Sequence, residues 1–294
     1  MTLTRRSGLF AGFVACVSLA NLPLLRDLIA HSSRNETASH VMLIPFVVIV
    51  LVWWDRQRIF AAPAFAAGLG IGVLLAGVAL TAAVRFQWLP FEDGTALSAS
   101  VFGLVVSWMG AFLAFFGTTA FRRALFPLLF LLFTAPIPEP ALALAVAGLK
   151  NGSAHAVATL FALSGTPYLR EEFVYHLPSV SIEIADACSG IRSSIALLLT
   201  SLLIGHTYLD RGWKRLVLVL IVLPITLLKN GIRIVTLTLL AVHVDPSFLT
   251  GQLHHDGGVV FFALALVMLA PVVVLLDKGM PRFGWPRDVI ARQG

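Results

Sequence analysis

Long uninterrupted stretches of apolar residues recur along this chain of 294 residues, and they limit the folds it can adopt. A helix of about 20 apolar residues is long enough to cross the hydrocarbon core of a bilayer. Hydrophobic residues make up 58% of the chain and charged residues 12%, whereas a typical soluble domain carries about 25% charged residues. The sequence therefore predicts an all-α fold, a polytopic membrane helix bundle of about eight transmembrane helices.

The predicted spans are defined by the apolar runs and the polar segments between them. In chain order they cover residues 9–29, 41–54, 60–84, 97–121, 124–136, 191–209, 216–244 and 258–276. Arg5 and Arg6 before the first run resemble the start of a signal peptide. Because no small-residue cleavage site follows and more spans do, we interpret residues 9–29 as an uncleaved first helix.

The distribution of charge predicts how the bundle is oriented. Lys and Arg collect in the cytoplasmic loops of membrane proteins. If both termini are cytoplasmic, the basic clusters at residues 5–6, 56–58, 122–123, 211–215 and 278–294 all fall on the cytoplasmic side. Most acidic residues then fall on the other side, together with Cys188 and His254. The net charge of +6 does not indicate nucleic-acid binding, because no basic stripe carries interleaved aromatic residues.

Residues 137–187 have a mixed character that differs from the apolar runs. Helical spacing over residues 141–163 predicts an amphipathic helix on the membrane surface, with Lys150, Asn151, Ser153 and His155 on one side. Alternation over residues 173–187, with Pro178 as the turn, predicts a small hairpin. Both elements are expected on the non-cytoplasmic side. We predict a single domain, residues 1–294, with segments 1–136, 137–187, 188–277 and a basic tail, 278–294.

The first of three polar clusters surrounds Cys188, at the start of the sixth predicted helix. Unpaired backbone N–H groups and the helix dipole at that position favour a thiolate. Arg192, one turn later, adds positive charge, and Ser189 and Gly190 complete the cluster. The alternative is a buried structural cysteine at a helix cap, with Ser189 as the cap. The other cysteine, Cys16, lies in an apolar run and is expected to pack as a small hydrophobe; a disulfide between the two stays open.

The second cluster, Lys229, Asn230 and Arg233, interrupts the seventh apolar run. A guanidinium inside a span must face protein or water, because lipid cannot solvate it. Arg233 is then a permanent positive charge that can stabilise an oxyanion. The alternative is a buried ion pair between Arg233 and Asp186 or Asp245. Lys229 is interpreted as a residue that reaches out of the membrane along its own stem.

The third cluster, His254, His255 and Asp256, precedes the eighth predicted helix at Gly258. A histidine with a near-neutral pKa in such a position accepts and returns a proton. The alternatives are a metal site and an interfacial histidine pair. The ligand spacing fits no common zinc pattern, so we predict no metal and no cofactor.

The three clusters come from helix ends on one side of the membrane, which indicates acyl transfer by a cysteine with an arginine at the oxyanion. Three other classes compete with this reading: a membrane transporter, a non-enzymatic subunit of an envelope or exopolysaccharide export system, and a metal-dependent hydrolase. A transporter would use Lys229 and Arg233 to attract an anion. A metal hydrolase would carry a His-Glu-x-x-His pattern, which the sequence lacks.

At these residues the sequence resembles the exosortase/archaeosortase family of membrane transpeptidases. The resemblance rests on Ala187-Cys188-Ser189-Gly190-Ile191-Arg192-Ser193, on Asn230-Gly231-Ile232-Arg233-Ile234, and on His254 four residues before Gly258. It implies that Cys188 is the nucleophile, that Arg233 stabilises the oxyanion and that His254 handles the proton, with His255 as a neighbour that could take that role.

The resemblance also implies partners and a location. The expected partners are exported proteins whose C-terminal sorting signal has a short motif, often Pro-Glu-Pro, then a membrane helix and a basic tail, together with membrane lipid and an acceptor molecule in the envelope. The expected location is the cytoplasmic (inner) membrane, with the active site facing the periplasm or exterior. The substrate motif, the choice between transfer and hydrolysis, and the oligomeric state stay open.

Overall fold

The computed structural model describes residues 3–62, 65–249 and 258–277, and most of these residues are helical. The chain divides into two compact units, Met1–Leu142 and Ala143–Gly294. Five of the described helices are long and apolar enough to cross a membrane. If each of two bent helix pairs also counts as one span, the described residues contain up to seven spans. The all-α polytopic bundle is confirmed, whereas the count of eight spans, the sidedness and the single domain stay predictions.

The first unit is built from helices. In chain order these are α1 (Leu3–Ala20), α2 (Leu22–Arg34), a 3₁₀ helix (Glu36–Met42), α3 (Ile44–Trp54), α4 (Arg56–Ile59), α5 (Ala67–Arg85), α6 (Asp93–Arg123), α7 (Leu125–Phe130) and a second 3₁₀ helix (Leu131–Thr134). Helix α8 (Glu139–Leu163) begins in this unit and continues into the second.

The first predicted span is broken near its middle, so the prediction of one helix over residues 9–29 is wrong. Helix α1 ends at Ala20 and α2 begins at Leu22, and the two are bent by 76°. Pro23 in the first turn of α2 has no N–H to donate back, and its ring clashes with the preceding turn of a continuous helix. The Asn21 side chain donates to the Val17 carbonyl at 2.9 Å and occupies the break.

Helices α5 and α6 approach each other closely because glycines lie at their contact. A Cβ added at Gly110 would clash with the backbone of Leu74, and one added at Gly77 would clash with the Ser107 backbone of α6. Small residues at a helix contact allow this close backbone approach inside a membrane. The Thr81 hydroxyl, on α5, contacts the Ser100 carbonyl of α6 at 3.2 Å.

The second unit joins a small sheet to long helices. After α8 come β1 (Leu169–Glu171), β2 (Val174–His176), β3 (Ser181–Glu183), a 3₁₀ turn (Asp186–Cys188), α9 (Ile191–Tyr208), α10 (Gly212–His243), another 3₁₀ turn (Pro246–Leu249) and α11 (Gly258–Leu276).

The predicted hairpin is present as the β2–β3 pair, and β1 extends it to three antiparallel strands. Tyr175 pairs with Ile182, and the turn around Pro178 closes with a Leu177 N–H bond to the Val180 carbonyl at 2.9 Å. Ile182 and Ile184 are buried and Ser181 and Glu183 are exposed, as the alternation predicted. Burial raises the pKa of the Tyr175 phenol, which donates to the Ala154 carbonyl of α8 at 2.6 Å.

Helix α10 takes part in two separate apolar cores. Its first half packs with α9 and α11, where Leu218 and Ile225 join Leu197 and Leu269. Val235, in its second half, packs with Val157 and Phe161 of α8 and with residues of the sheet such as Tyr175. The polar residues Lys229, Asn230 and Arg233 lie along α10 between the residues of the two cores.

Candidate active site

Cys188 lies in a short turn just before helix α9. The turn is closed by two backbone bonds, from the Cys188 N–H to the Ala185 carbonyl at 2.9 Å and from the Ser189 N–H to the Asp186 carbonyl at 3.0 Å. Gly190, with φ of +79°, redirects the chain into α9. The expectation that Cys188 precedes the N-terminus of α9 agrees with this geometry. Cys188 is half-buried, and both it and Cys16 are free thiols.

Ser189 does not cap α9, contrary to the alternative in which Cys188 is a buried structural cysteine beside a Ser189 cap. The residue preceding the helix is Gly190, and no side chain of the described residues makes a capping bond to the N-terminus of α9. Ser189 is fully buried, and its hydroxyl has no hydrogen-bond partner in the part of the chain that the structure describes. Ser193 and Ser194 donate instead to the Gly190 carbonyl, at 2.9 and 2.8 Å.

Asn230 connects the cysteine turn to helix α10 and to helix α8. Its amide nitrogen donates to the Cys188 carbonyl at 2.8 Å and to the Ser153 hydroxyl at 2.9 Å. Asn230 is fully buried, so these bonds form where water cannot replace them. A Cβ on Gly190 would lie 3.0 Å from the Asn230 amide oxygen, so the glycine leaves the space that this side chain occupies.

Ser153 is a site residue that the sequence interpretation placed wrongly. The helical spacing predicts that Ser153 shares a polar side of its helix with Asn151 and His155, but those two are exposed and Ser153 is fully buried. Ser153 lies four residues after Leu149 and four residues before Val157, which are both buried, so it belongs to the buried stripe of α8. A polar residue within an apolar stripe is the signal that would have identified it.

Lys229 also differs from its prediction. It is only 2% exposed, and its ammonium group donates to the Ser193 hydroxyl in the first turn of α9. The interpretation of Lys229 as a residue that reaches out of the membrane is therefore wrong. Helix α10 therefore has two neighbouring connections to this region. Asn230 bonds to the turn before α9, and Lys229 bonds to the first turn of α9.

Arg233 lies on α10 one turn after Asn230 and Lys229, and residues three or four apart share a helix face. Its side chain is half-buried. The two carboxylates considered as its partners make other contacts. Asp186 pairs with Lys150 at 2.9 Å, and Asp245 accepts from the Ser247 backbone at 2.7 Å. Hydrogen bonds from the Ser247 side chain and backbone hold the pKa of Asp245 below its ordinary value.

Helix length indicates the depth of these residues in a bilayer. Asn230 lies about 27 Å along α10 from Gly212 at a rise of 1.5 Å per residue, and a hydrocarbon core is about 30 Å thick. The Cys188–Asn230–Arg233 level is therefore one membrane thickness away from the end of α10 that carries Trp213, Lys214 and Arg215.

The predicted proton carrier His254 and its neighbour His255 lie outside the described residues. The helix that follows them, α11, begins at Gly258 as the sequence predicted. Arg192, another supporting residue, is exposed in the first turn of α9. Within residues 3–62, 65–249 and 258–277, no group of three His, Cys, Asp or Glu side chains could hold a metal ion.

Comparison with protein-family models relates the chain to a known family. A family model described as transmembrane exosortase matches residues 32–271, a region that includes Cys188, Asn230 and Arg233. No curated protein and no solved structure matches the chain in the corresponding comparisons.

Proposed function

Because the chain belongs to the transmembrane exosortase family, we propose that it is a membrane-embedded cysteine peptidase or transpeptidase. It cleaves the C-terminal sorting signal of exported proteins through a thioacyl intermediate on Cys188. The observation that carries this proposal is the bond from Asn230 to the Cys188 carbonyl, which fixes the cysteine turn beside the α10 face that bears Arg233.

The nucleophile is the Cys188 thiolate. The first backbone N–H groups of α9 have no acceptor within the helix, and with the helix dipole they favour negative charge nearby. The Lys229 amine donates to Ser193 at the same helix end, and its charge when protonated favours the thiolate further. Asn230 is a positioning residue in this account, because it acts on the reaction through the backbone of Cys188.

The chemistry proceeds in two halves. In the first, the thiolate attacks the scissile carbonyl carbon, and Arg233 stabilises the oxyanion with its planar set of donors. The C–N bond breaks, His254 donates a proton to the leaving amine, and a thioester remains on Cys188. In the second half, His254 takes a proton from an acceptor amine or from water, and the attack of that nucleophile on the thioester releases the Cys188 thiolate.

The depth of the site supports the proposed substrate class. A sorting signal that ends in a membrane helix and a basic tail would hold its helix across the bilayer, with the tail at the basic cytoplasmic side. Its scissile motif would then lie at the opposite interface, about one membrane thickness away, which is the level of Cys188. We propose that the protein lies in the cytoplasmic (inner) membrane with both termini in the cytoplasm. The acceptor of the acyl group is an envelope molecule or water.

The test uses a reporter protein with a secretion signal and a C-terminal Pro-Glu-Pro motif, membrane helix and basic tail, co-expressed with the full chain. Cleavage is measured by the mass of the reporter's new C-terminus. Cys188→Ala and Cys188→Ser abolish cleavage although the variants accumulate in the membrane, and Cys16→Ala, which removes the other thiol, cleaves normally. Normal cleavage by both Cys188 variants would exclude the covalent mechanism.

A further inference from the structure

The small sheet has a free edge at β3, the strand that leads into the cysteine turn. The strand order is β1–β2–β3, so β3 pairs with β2 on one side and with no strand of the described residues on the other. Ser181 and Glu183 of β3 are exposed. Another chain can add to such an edge as a strand, because the backbone N–H and C=O groups there have no partners in the sheet.

The register of the β2–β3 pair shows which backbone groups face this edge. The Ile184 N–H donates to the Phe173 carbonyl at 3.0 Å, so Ile184 occupies a position that bonds toward β2. Such positions alternate along an antiparallel strand, so Ser181 and Glu183 direct their backbone groups away from β2. The Glu183 carbonyl accepts from the Ala185 N–H at 3.1 Å. Three groups are then without a partner among the described residues: the Ser181 N–H, the Ser181 carbonyl and the Glu183 N–H.

This edge lies next to the proposed nucleophile. Ala185 follows Glu183 by two residues, which span about 7 Å in an extended chain. The Ala185 carbonyl accepts from the Cys188 N–H at 2.9 Å. A peptide that runs parallel to β3 would therefore carry the residues that come after the edge toward the cysteine turn.

The three free groups determine which backbone groups a parallel peptide must supply. In a parallel pair, the N–H and the carbonyl of one residue bond to two different residues of the partner, which are two positions apart. The Ser181 N–H would donate to the carbonyl of one peptide residue. The Ser181 carbonyl would accept from the N–H of the residue two positions later, and the carbonyl of that same residue would accept from the Glu183 N–H. The peptide thus supplies one N–H, and the residues directly before and after that N–H supply none.

A segment with prolines on both sides of one residue fits this pattern of bonds. Proline has no N–H, and a strand accepts it only where the missing group faces away from the neighbouring strand. The residue before a proline is also held in an extended conformation. In a Pro-Glu-Pro motif the two prolines would face away from β3, and the glutamate would make the backbone bonds. Because side chains alternate along a strand, the motif glutamate would lie on the face of the sheet opposite to Glu183, which keeps the two carboxylates apart.

We propose that the motif of a sorting signal binds the free edge of β3 as a fourth strand, parallel to β3, with the residue between the two prolines bonded to Ser181 and Glu183. The inference rests on the proposed function, because it names how the same site recognises its substrate. Recognition through the backbone at this edge positions the motif, and the scissile bond that follows the motif is directed toward Cys188.

The test measures binding, so that it is independent of cleavage. A synthetic fluorescent peptide with a Pro-Glu-Pro motif, a membrane helix and a basic tail is titrated with the full Cys188→Ala chain in lipid nanodiscs, and empty nanodiscs correct for partition into lipid. Methylation of the backbone nitrogen of the motif glutamate removes the one N–H that the edge accepts and keeps the side chain. We expect binding to weaken at least tenfold. Replacement of the second proline by N-methylalanine, which also lacks an N–H, should leave the dissociation constant unchanged.

The same bond can be removed from the protein side. Ser181→Pro deletes an edge N–H at a position where a strand accepts proline, because that N–H faces away from β2. Arg170→Pro is the matched control, since Arg170 of β1 pairs with Tyr175 and its backbone faces the other edge of the sheet. In the Cys188→Ala background, we expect Ser181→Pro to weaken binding of the parent peptide at least tenfold and Arg170→Pro to bind it with the original affinity.

Unchanged binding of the methylated peptide would overturn the proposal, and so would unchanged binding by a folded Ser181→Pro chain. If Ser181→Pro does not fold, or weakens binding no more than Arg170→Pro does, the methylated peptide alone decides. Cleavage of the parent peptide by the wild-type chain judges the proposed reaction separately. A peptide that binds with the expected sensitivity to methylation but is not cleaved would refute the reaction and support the binding mode.

Discussion

The side-chain amide of Asn230 donates a 2.8 Å hydrogen bond to the backbone carbonyl of Cys188, which lies 42 residues earlier in the chain. The same nitrogen donates to the Ser153 hydroxyl at 2.9 Å. One fully buried side chain thus joins three segments of the second unit. The position of the proposed nucleophile therefore depends on a residue that takes no part in bond making.

Asn230→Asp tests this dependence while keeping the shape of the side chain. An ionised aspartate cannot donate, so both hydrogen bonds are lost and an oxygen faces the Cys188 carbonyl. We expect reporter cleavage to fall by more than tenfold. Ser153→Ala is the control, because it removes one acceptor and leaves the Asn230–Cys188 bond intact. If Ser153→Ala lowers cleavage as much as Asn230→Asp does, the bond to Cys188 is not the one that matters.

Gly190→Ala tests the space beside Asn230. A left-handed conformation costs a non-glycine residue about 1–2 kcal/mol, and the new Cβ would lie 3.0 Å from the Asn230 amide oxygen. Gly165→Ala is a matched control, because Gly165 has φ of +68° but nothing within 4 Å of an added Cβ. We expect both variants to lower the thermal midpoint by similar amounts and only Gly190→Ala to reduce cleavage. Equal cleavage by the two would refute a role for this contact.

Arg233→Lys tests whether a planar guanidinium is needed. Lysine keeps the charge but loses the fork of donors, and loss of an oxyanion donor lowers turnover by about 10²–10³. We expect a loss of that order in the turnover number, with less change in the substrate concentration at half-maximal rate. Arg211→Lys, at an exposed position just before α10, should cleave normally. Wild-type turnover by Arg233→Lys would remove Arg233 from the oxyanion.

Because Lys229 is buried and bonded to Ser193, we expect the effects of substituting the two residues on the stability of the protein to be non-additive. Ser193→Ala leaves a buried ammonium without its acceptor, which costs about 1–3 kcal/mol. Lys229→Met removes the charge and keeps a chain of similar length. We expect the double variant to unfold at a higher temperature than Ser193→Ala alone, as measured by thermal unfolding in detergent. If the double variant loses as much stability as the two single variants together, the pair is not coupled.

The orientation of the chain can be tested by labelling. In intact cells, a membrane-impermeant maleimide applied from outside the inner membrane should modify Cys188, which is half-buried and at the proposed outer level. Cys188→Ala should lose the label although Cys16 is still present, because Cys16 lies within the apolar helix α1. Labelling only after the cells are opened would place the site on the cytoplasmic side and reverse the proposed orientation.

The sequence predicted the elements that a single local pattern determines. The apolar run starting at Gly258 became α11, Pro178 lies in the β2–β3 turn, and Cys188 precedes α9. In each case the signal is contained in consecutive residues: an apolar run, an alternation around a proline, or the start of a helix.

Two of the errors concern residues whose surroundings come from elsewhere in the chain. The apolar run predicts that Lys229 reaches out of the membrane, but the Ser193 hydroxyl on α9 accepts a hydrogen bond from its ammonium group, and this bond compensates for its burial. Ser153 was assigned to the polar side of its helix, but Asn230, 77 residues later, provides a buried partner. A polar side chain can be buried where it finds such a partner, and a local pattern does not contain that information.

A covalent intermediate on Cys188 would change the mass of the enzyme while it processes its substrate. The purified full chain is mixed with a synthetic sorting-signal peptide, quenched in acid within one turnover, and digested for mass spectrometry. We expect the peptide containing Cys188 to carry the N-terminal part of the substrate as a thioester, which hydroxylamine removes. Substrate cleavage at the wild-type rate by Cys188→Ala, with no adduct on any cysteine of the wild-type protein, would contradict this expectation.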